Sequence, residues 1–360
     1  MAIGTVTRTP WWAWAWPLLA WVVLGLQLVV AGNAAITALE AFALIATVFA
    51  AVYHAEVVAH RVGEPFGSLV LALAVTIIEV ALIVSVMITS GAEAAGLARD
   101  TVFAAVMIVC NGIVGTCLLA GGVRHREQGF QLQGASAALS VLIPLTTLTL
   151  IFPNLTTSSQ GPTFSESQLV FAAVVSLVLW GSFVFIQTVR HRDYFLPAGG
   201  DEEHAAPPSN AVALLSAGLL LASLVAVVGL AKALTPTLER GISAAGAPKS
   251  VVGILIAALV LLPEGLAAFR AARANRLQTS INLALGSALA SIGLTIPVVV
   301  AVSTVMHTPL NLGLGPKEMV LLLVTLILSQ STLGTGRTTV LQGTVHLVLF
   351  AAFLFLAVVP

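Results

Sequence analysis

Charge is scarce in this sequence. Aspartate, glutamate, lysine and arginine make up 8% of its 360 residues, against about a quarter in a soluble globular domain. So few charges cannot cover a water-facing surface, which excludes an ordinary soluble fold. The charges also cancel to a formal net of zero, and no basic tract marks a nucleic-acid partner. Cysteine is nearly absent. Cys110 and Cys117 share one apolar run and one helical face, where they cannot pair with each other, so they read as packing residues. Aspartate occurs only at Asp100, Asp193 and Asp201. No HExxH pattern and no nucleophile paired with a base is visible, which argues against an intramembrane enzyme.

What is abundant is apolar: 58% of residues, with a mean hydropathy of +1.04. The sequence reads as an all-α polytopic membrane protein with the lipid bilayer as its first partner. Breaks at polar, Gly/Pro-rich gaps predict eleven spans. Their limits are 11–32, 35–53, 67–89, 101–122, 135–152, 166–189, 210–234, 249–270, 280–305, 318–333 and 338–359. The first run is longer than the apolar core of a cleavable signal, and it opens on the interfacial pair Trp11-Trp12, so it is read as a transmembrane helix.

Ten of the fifteen basic residues fall before the first span or in even-numbered loops. This places the N-terminus in the cytoplasm by the positive-inside rule. Residues 191–209 are hydrophilic, contain Pro and Gly and lack an amphipathic period, as a cytoplasmic linker would. Its acids Asp201, Glu202 and Glu203 read as a solvated patch. The expected organisation is an N-terminal helix (1–34), a five-helix repeat (35–190), the linker, and a second five-helix repeat (210–360).

Against this apolar background two acids stand out. Glu79 lies deep in the third span, in GSLVLALAVTIIEVALI, and Glu264 in the eighth, in VGILIAALVLLPEGLAA. The two spans are five apart, so they cross the membrane in opposite directions, as corresponding helices of inverted repeats do. Six residues separate Glu264 from Arg270, so either Arg270 snorkels or the span extends past it. Pro263 removes an amide donor and frees a carbonyl one turn earlier. One membrane carboxyl is readily explained as a protonated group tied to a neighbouring helix. Two at corresponding places point to function, because each costs at least about 2.5–3.5 kcal/mol to insert.

Two facing carboxylates hold either protons or a cation. When empty, desolvation and mutual repulsion favour protonation, whereas Ca²⁺, its charge neutralised by the two carboxylates, displaces the protons. Ca²⁺ requires six to eight oxygens, so other groups must complete its shell. The ninth span offers Ser280, Ser287, Ser291 and Thr295 along one helical face. The fourth offers Asn111, whose amide carbonyl is a candidate ligand. Glu56, near the cytoplasmic end of the second span, is a candidate for the ion-access path. His54, His60 and His346 show no metal-ligand spacing and are assigned no role.

The stretches AHRVGEPFGSLVLALAVTIIEVALI, RDTVFAAVMIVCNGIVG and LLPEGLAAFRAARANRLQTSINLALGSALASIGLTIP, with REQGF after the fourth span, resemble the calcium/proton exchangers of the calcium/cation antiporter superfamily. The likeness is greatest to that family's bacterial calcium/sodium–proton antiporters, and it runs from about Ala51 to the C-terminus. It implies eleven spans, two inverted repeats and a central site with one glutamate from each, at Glu79 and Glu264. Ser287 and Asn111 fall in the corresponding polar stretches, and Glu56 falls near the acidic residue that precedes the first repeat helix. Many members carry a Gly-Asn pair before each glutamate, where this chain has VTIIE and VLLPE, so the preferred cation stays open among Ca²⁺, Na⁺ and K⁺. The expected function is proton-driven cation efflux across a bacterial inner membrane, with no cofactor. A proton-independent Na⁺/Ca²⁺ exchanger is the alternative. A homo-oligomer is compatible with the sequence but not specified by it.

Overall fold

The computed structural model describes residues 9–29, 34–63, 66–196, 207–244, 246, 248 and 250–359. In hydrocarbon every backbone amide and carbonyl must be satisfied within the chain, and runs of Ala, Leu and Val meet that demand as helices. The described helices are α1 (Trp11–Val29), α2 (Ala34–Val62), α3 (Phe66–Ser90) and α4 (Leu97–His125). They continue with α5 (Leu132–Asn154), α6 (Glu166–Arg190), α7 (Asn210–Ala244) and α8 (Ser250–Arg273). The last three are α9 (Leu277–Met306), α10 (Pro316–Leu333) and α11 (Val340–Val358). From α2 to α11 all ten are long and apolar enough to cross a membrane. The tryptophan-rich α1 packs on α2 and α7.

Three predicted boundaries move most, among them the end of the seventh span, expected at 234 and found at Ala244. The second span was expected to stop at 53, but α2 continues to Val62 and takes His54, Glu56, His60 and Arg61 into the helix. The polar residues that suggest a loop are helix-compatible: His54 is buried, and Glu56 and Arg61 are exposed on the last turns. In the eighth span the helix extends past Arg270 to Arg273, the second of the two outcomes expected there.

Polar loop contacts sort the helix ends onto two faces. On one face a short bridge pairs β1 (Gln128–Gly129) with β2 (Arg337–Thr338). Beside it Gln128 Nε2 donates to the Ala272 carbonyl and to Asn275 Oδ1, both at 2.9 Å. Asn282 Nδ2 donates to the Phe195 carbonyl on the same face. On the opposite face Arg99 donates to the Gly313 carbonyl, Gly313 N to Pro162 O, and Asn311 N to Ala95 O. Among the described residues, the connections from α3 to α6 and from α8 to α11 therefore alternate sides. α4 and α8 run in the same direction, and α3 runs against both.

Helix α1 is docked through a freed carbonyl. Pro17 supplies no amide to Ala13, and the buried His54 Nε2–H donates to that carbonyl at 2.8 Å. Trp12 packs edge-on against Tyr53 beside this bond.

The interior holds two apolar clusters. One joins α1, α2 and α7, with Val75, Ile78 and Leu82 of α3 and Val260 of α8. The other joins α4, α5, α9 and α10, with Ile83 and Val86 of α3 and Ala257 and Leu261 of α8. Helices α3 and α8 thus have a face in each cluster, and they carry Glu79 and Glu264; a third buried glutamate, Glu40, lies near the start of α2. Exposed apolar side chains such as Phe171, Val178, Leu341 and Phe355 cover the outward faces of α6 and α11, as a lipid-facing surface requires.

Candidate ion-binding site

Glu79 and Glu264 are 2% and 6% exposed. Glu264 lies nine residues before the end of α8, so the extension past Arg270 carries it well into the helix. The helix stays regular through Pro263, and the Leu259 carbonyl one turn earlier has no amide to accept from.

Both acids meet α9. Ser287 Oγ donates to Glu264 Oε2 at 2.7 Å, and Ser291 Oγ donates to Glu79 Oε2. Residues four apart on a helix lie one above the other, roughly 5–6 Å between Cβ atoms. The serines therefore hold two carboxyls from oppositely directed helices about one turn apart. The two acids are close enough to interact electrostatically. Glu79 Oε1 is buried and has no hydrogen-bond partner, which leaves one carboxyl oxygen free for a ligand. A hydroxyl that donates to an ionised carboxylate makes a shorter and stronger hydrogen bond than one to a neutral acid, so each serine favours the ionised form of its partner.

Close helix packing supports the arrangement. A Cβ on Gly265 would meet the Ile113 side chain at 3.2 Å, and one on Gly253 would meet the Thr101 amide nitrogen at 2.9 Å. Small residues at these points let α8 approach α4.

Asn111 is placed differently. It sits in a π-helical turn of α4, Ile108–Ile113, and it is fully buried. Its Nδ2 donates to Thr325 Oγ1 at 2.9 Å, and its Oδ1 accepts from His346 Nδ1 at 3.1 Å. Thr332 Oγ1 in turn donates to His346 Nε2 at 3.1 Å. Both polar ends of the asparagine are thus taken by α10 and α11 rather than by the glutamates. The sequence assigned His346 no role, and nothing in its spacing signals a partner 235 positions away. Glu56 is exposed on α2 and within electrostatic reach of Arg270 on α8, at the helix ends rather than at the paired acids. Asp201, Glu202 and Glu203 lie outside the described residues.

Residues 19–189 and 215–359 match the model of the sodium/calcium exchanger protein family. The chain belongs to that family. As an exchanger-family protein it is a transporter and not an enzyme. It is 50% identical to the putative ionic transporter y4hA of Sinorhizobium fredii, over 98% of this chain and 97% of that one. It is 39% identical to the sodium-potassium/proton antiporter ChaA of Escherichia coli, over 94% of this chain and 93% of that one. Its fold is that of native YfkE, with a TM-score of 0.74 over 97% of this chain and 99% of that one, at 17% identity.

Proposed function

We propose that this exchanger-family protein is a secondary antiporter that exports Ca²⁺, Na⁺ or K⁺ in exchange for protons, using Glu79 and Glu264 as one shared site. The observation that carries this reading is the pair of buried carboxyls held by Ser287 and Ser291 on α9, at the seam of the two apolar clusters. Binding of protons neutralises both acids; Ca²⁺ neutralises both as well, whereas Na⁺ or K⁺ neutralises one and displaces its proton. Occupancy by one excludes the other, which couples the two fluxes without a separate device. The E. coli relative, a sodium-potassium/proton antiporter by name, supports proton coupling.

The helix directions support two inverted five-helix repeats, 35–190 and 210–360, joined by the linker 191–209 and preceded by the helix at 1–34. The excess of arginine in even-numbered loops supports a cytoplasmic N-terminus in a bacterial inner membrane. Glu56, at the end of α2, is suited to the access path, where an exposed carboxylate concentrates cations. Asn111 acts at one remove, by fixing the π-helical turn that packs against Gly265.

The test is transport in everted membrane vesicles loaded with a pH-sensitive dye, with Ca²⁺, Na⁺ and K⁺ added in turn. At least one of the three is expected to dissipate an acid-inside gradient. No response to any of them, with cation flux driven only by a Na⁺ gradient, would instead establish proton-independent exchange.

A further inference from the structure

A threonine inside a membrane helix ordinarily returns its hydroxyl to the carbonyl four residues earlier. Among the described residues the buried helical threonines Thr47, Thr76, Thr146, Thr149, Thr188 and Thr325 all do so. Thr332 bonds to His346 instead. Thr295 does neither. It is fully buried in α9, and its Oγ1 has no hydrogen-bond partner. The other such case, Thr101, sits near the start of α4 beside Asp100, away from the paired acids. An orphaned hydroxyl in a dry interior costs about 1–3 kcal/mol, so its presence calls for a ligand.

The position of Thr295 indicates which ligand. It lies four residues beyond Ser291, which bonds Glu79, and so stands one turn above that serine on the same face of α9. From Ser291 to Thr295 the helix runs toward Met306, the end that shares a membrane face with the α3–α4 and α9–α10 connections. The second unpartnered buried oxygen of this region is Glu79 Oε1. Two unpartnered oxygens, a carboxyl and a hydroxyl, thus belong to Glu79 and to the residue one turn beyond the serine that holds it, on the side of that face.

We propose that Thr295 is a further cation-handling residue, its Oγ1 acting with Glu79 Oε1 to hold the transported ion, or its last water, as it passes between the paired glutamates and that membrane face. Hydroxyl and carboxylate oxygens are the hard donors that Na⁺, K⁺ and Ca²⁺ all accept. This rests on the assignment of Glu79 and Glu264 as the transport site.

Thr295→Val keeps the shape and removes only the hydroxyl, and Thr295→Ser keeps the hydroxyl. If the hydroxyl served nothing, the valine variant would transport normally and be as stable or more so, because an unsatisfied group has been removed. The vesicle assay is expected to show instead that Thr295→Val raises the half-saturating cation concentration about tenfold, with its melting temperature in detergent unchanged or higher. Thr295→Ser is expected to stay within about twofold of the parent, as is the control Thr149→Val, whose hydroxyl is already satisfied. Parental kinetics in Thr295→Val would overturn the inference. So would a loss of activity accompanied by a lower melting temperature that serine does not rescue, which marks a packing role. Glu79→Gln, run alongside, separates the two levels: full transport in that variant would remove the underlying site, whatever Thr295→Val does.

Discussion

Glu79→Gln and Glu264→Gln are each expected to lower cation-driven proton movement by at least about a hundredfold while the protein still inserts and folds. Glutamine is nearly isosteric with glutamate, and its carbonyl can still accept the hydroxyl of Ser291 or Ser287. Packing at α9 is therefore preserved, but the side chain carries neither a titratable proton nor a charge. With Glu79 replaced, a bound cation would face a single carboxylate in a low-dielectric interior. Losing one member of a buried, paired charge set costs about 2–5 kcal/mol, and a hundredfold corresponds to about 2.7 kcal/mol. The assay is the dye-loaded vesicle, normalised to the amount of protein in the membrane. Full activity in both variants would remove these residues from the mechanism.

The second large effect falls on stability. Helix α11 approaches α4 so closely that a Cβ on Gly343 would lie 2.8 Å from Leu119 Cα and 2.9 Å from the Gly115 carbonyl oxygen. Both obstacles are backbone atoms of a buried helix and cannot rotate aside. A Cβ on Gly115 would meet His346 Cβ at 3.0 Å, and one on Gly112 the Phe350 ring at 3.1 Å, so the whole seam depends on small residues. Gly343→Ala is expected to destabilise the protein by about 1–3 kcal/mol or more, read as a lower melting temperature in detergent. Because the same seam carries the His346–Asn111 bond, transport per folded molecule should fall as well. Gly181→Ala, where a Cβ would meet nothing within 4 Å, is expected to change stability by less than about 0.5 kcal/mol. Equal melting temperatures for the two variants would mean that the α4–α11 contact is looser than it stands here.

The sequence made the helices legible because length and apolar content dominate in lipid, and a run such as 166–189 has no other stable form. It made Glu79 and Glu264 legible because a carboxyl among Ala, Val and Leu is costly enough to need a reason. Ser287 and Ser291 followed from helical spacing alone. Which serine meets which acid did not, since that depends on how α3 and α8 lie against α9. Asn111 was read as a ligand because a buried amide needs partners. Its actual partners are Thr325 and His346, on helices more than two hundred residues away, and no local pattern predicts such contacts. The end of α2 is hidden for the opposite reason: His54, Glu56 and Arg61 are polar, as a loop would be, yet helix-compatible. The orphaned hydroxyl of Thr295 is invisible to sequence, because only the folded helix shows that the usual return bond is missing.

The most direct measurement is proton release on cation binding by the purified protein in a weakly buffered detergent solution. Competition of protons and cation for Glu79 and Glu264 predicts that adding the transported ion acidifies the medium, and that Glu79→Gln and Glu264→Gln each reduce the protons released. Saturable cation binding with no change in proton content would contradict it.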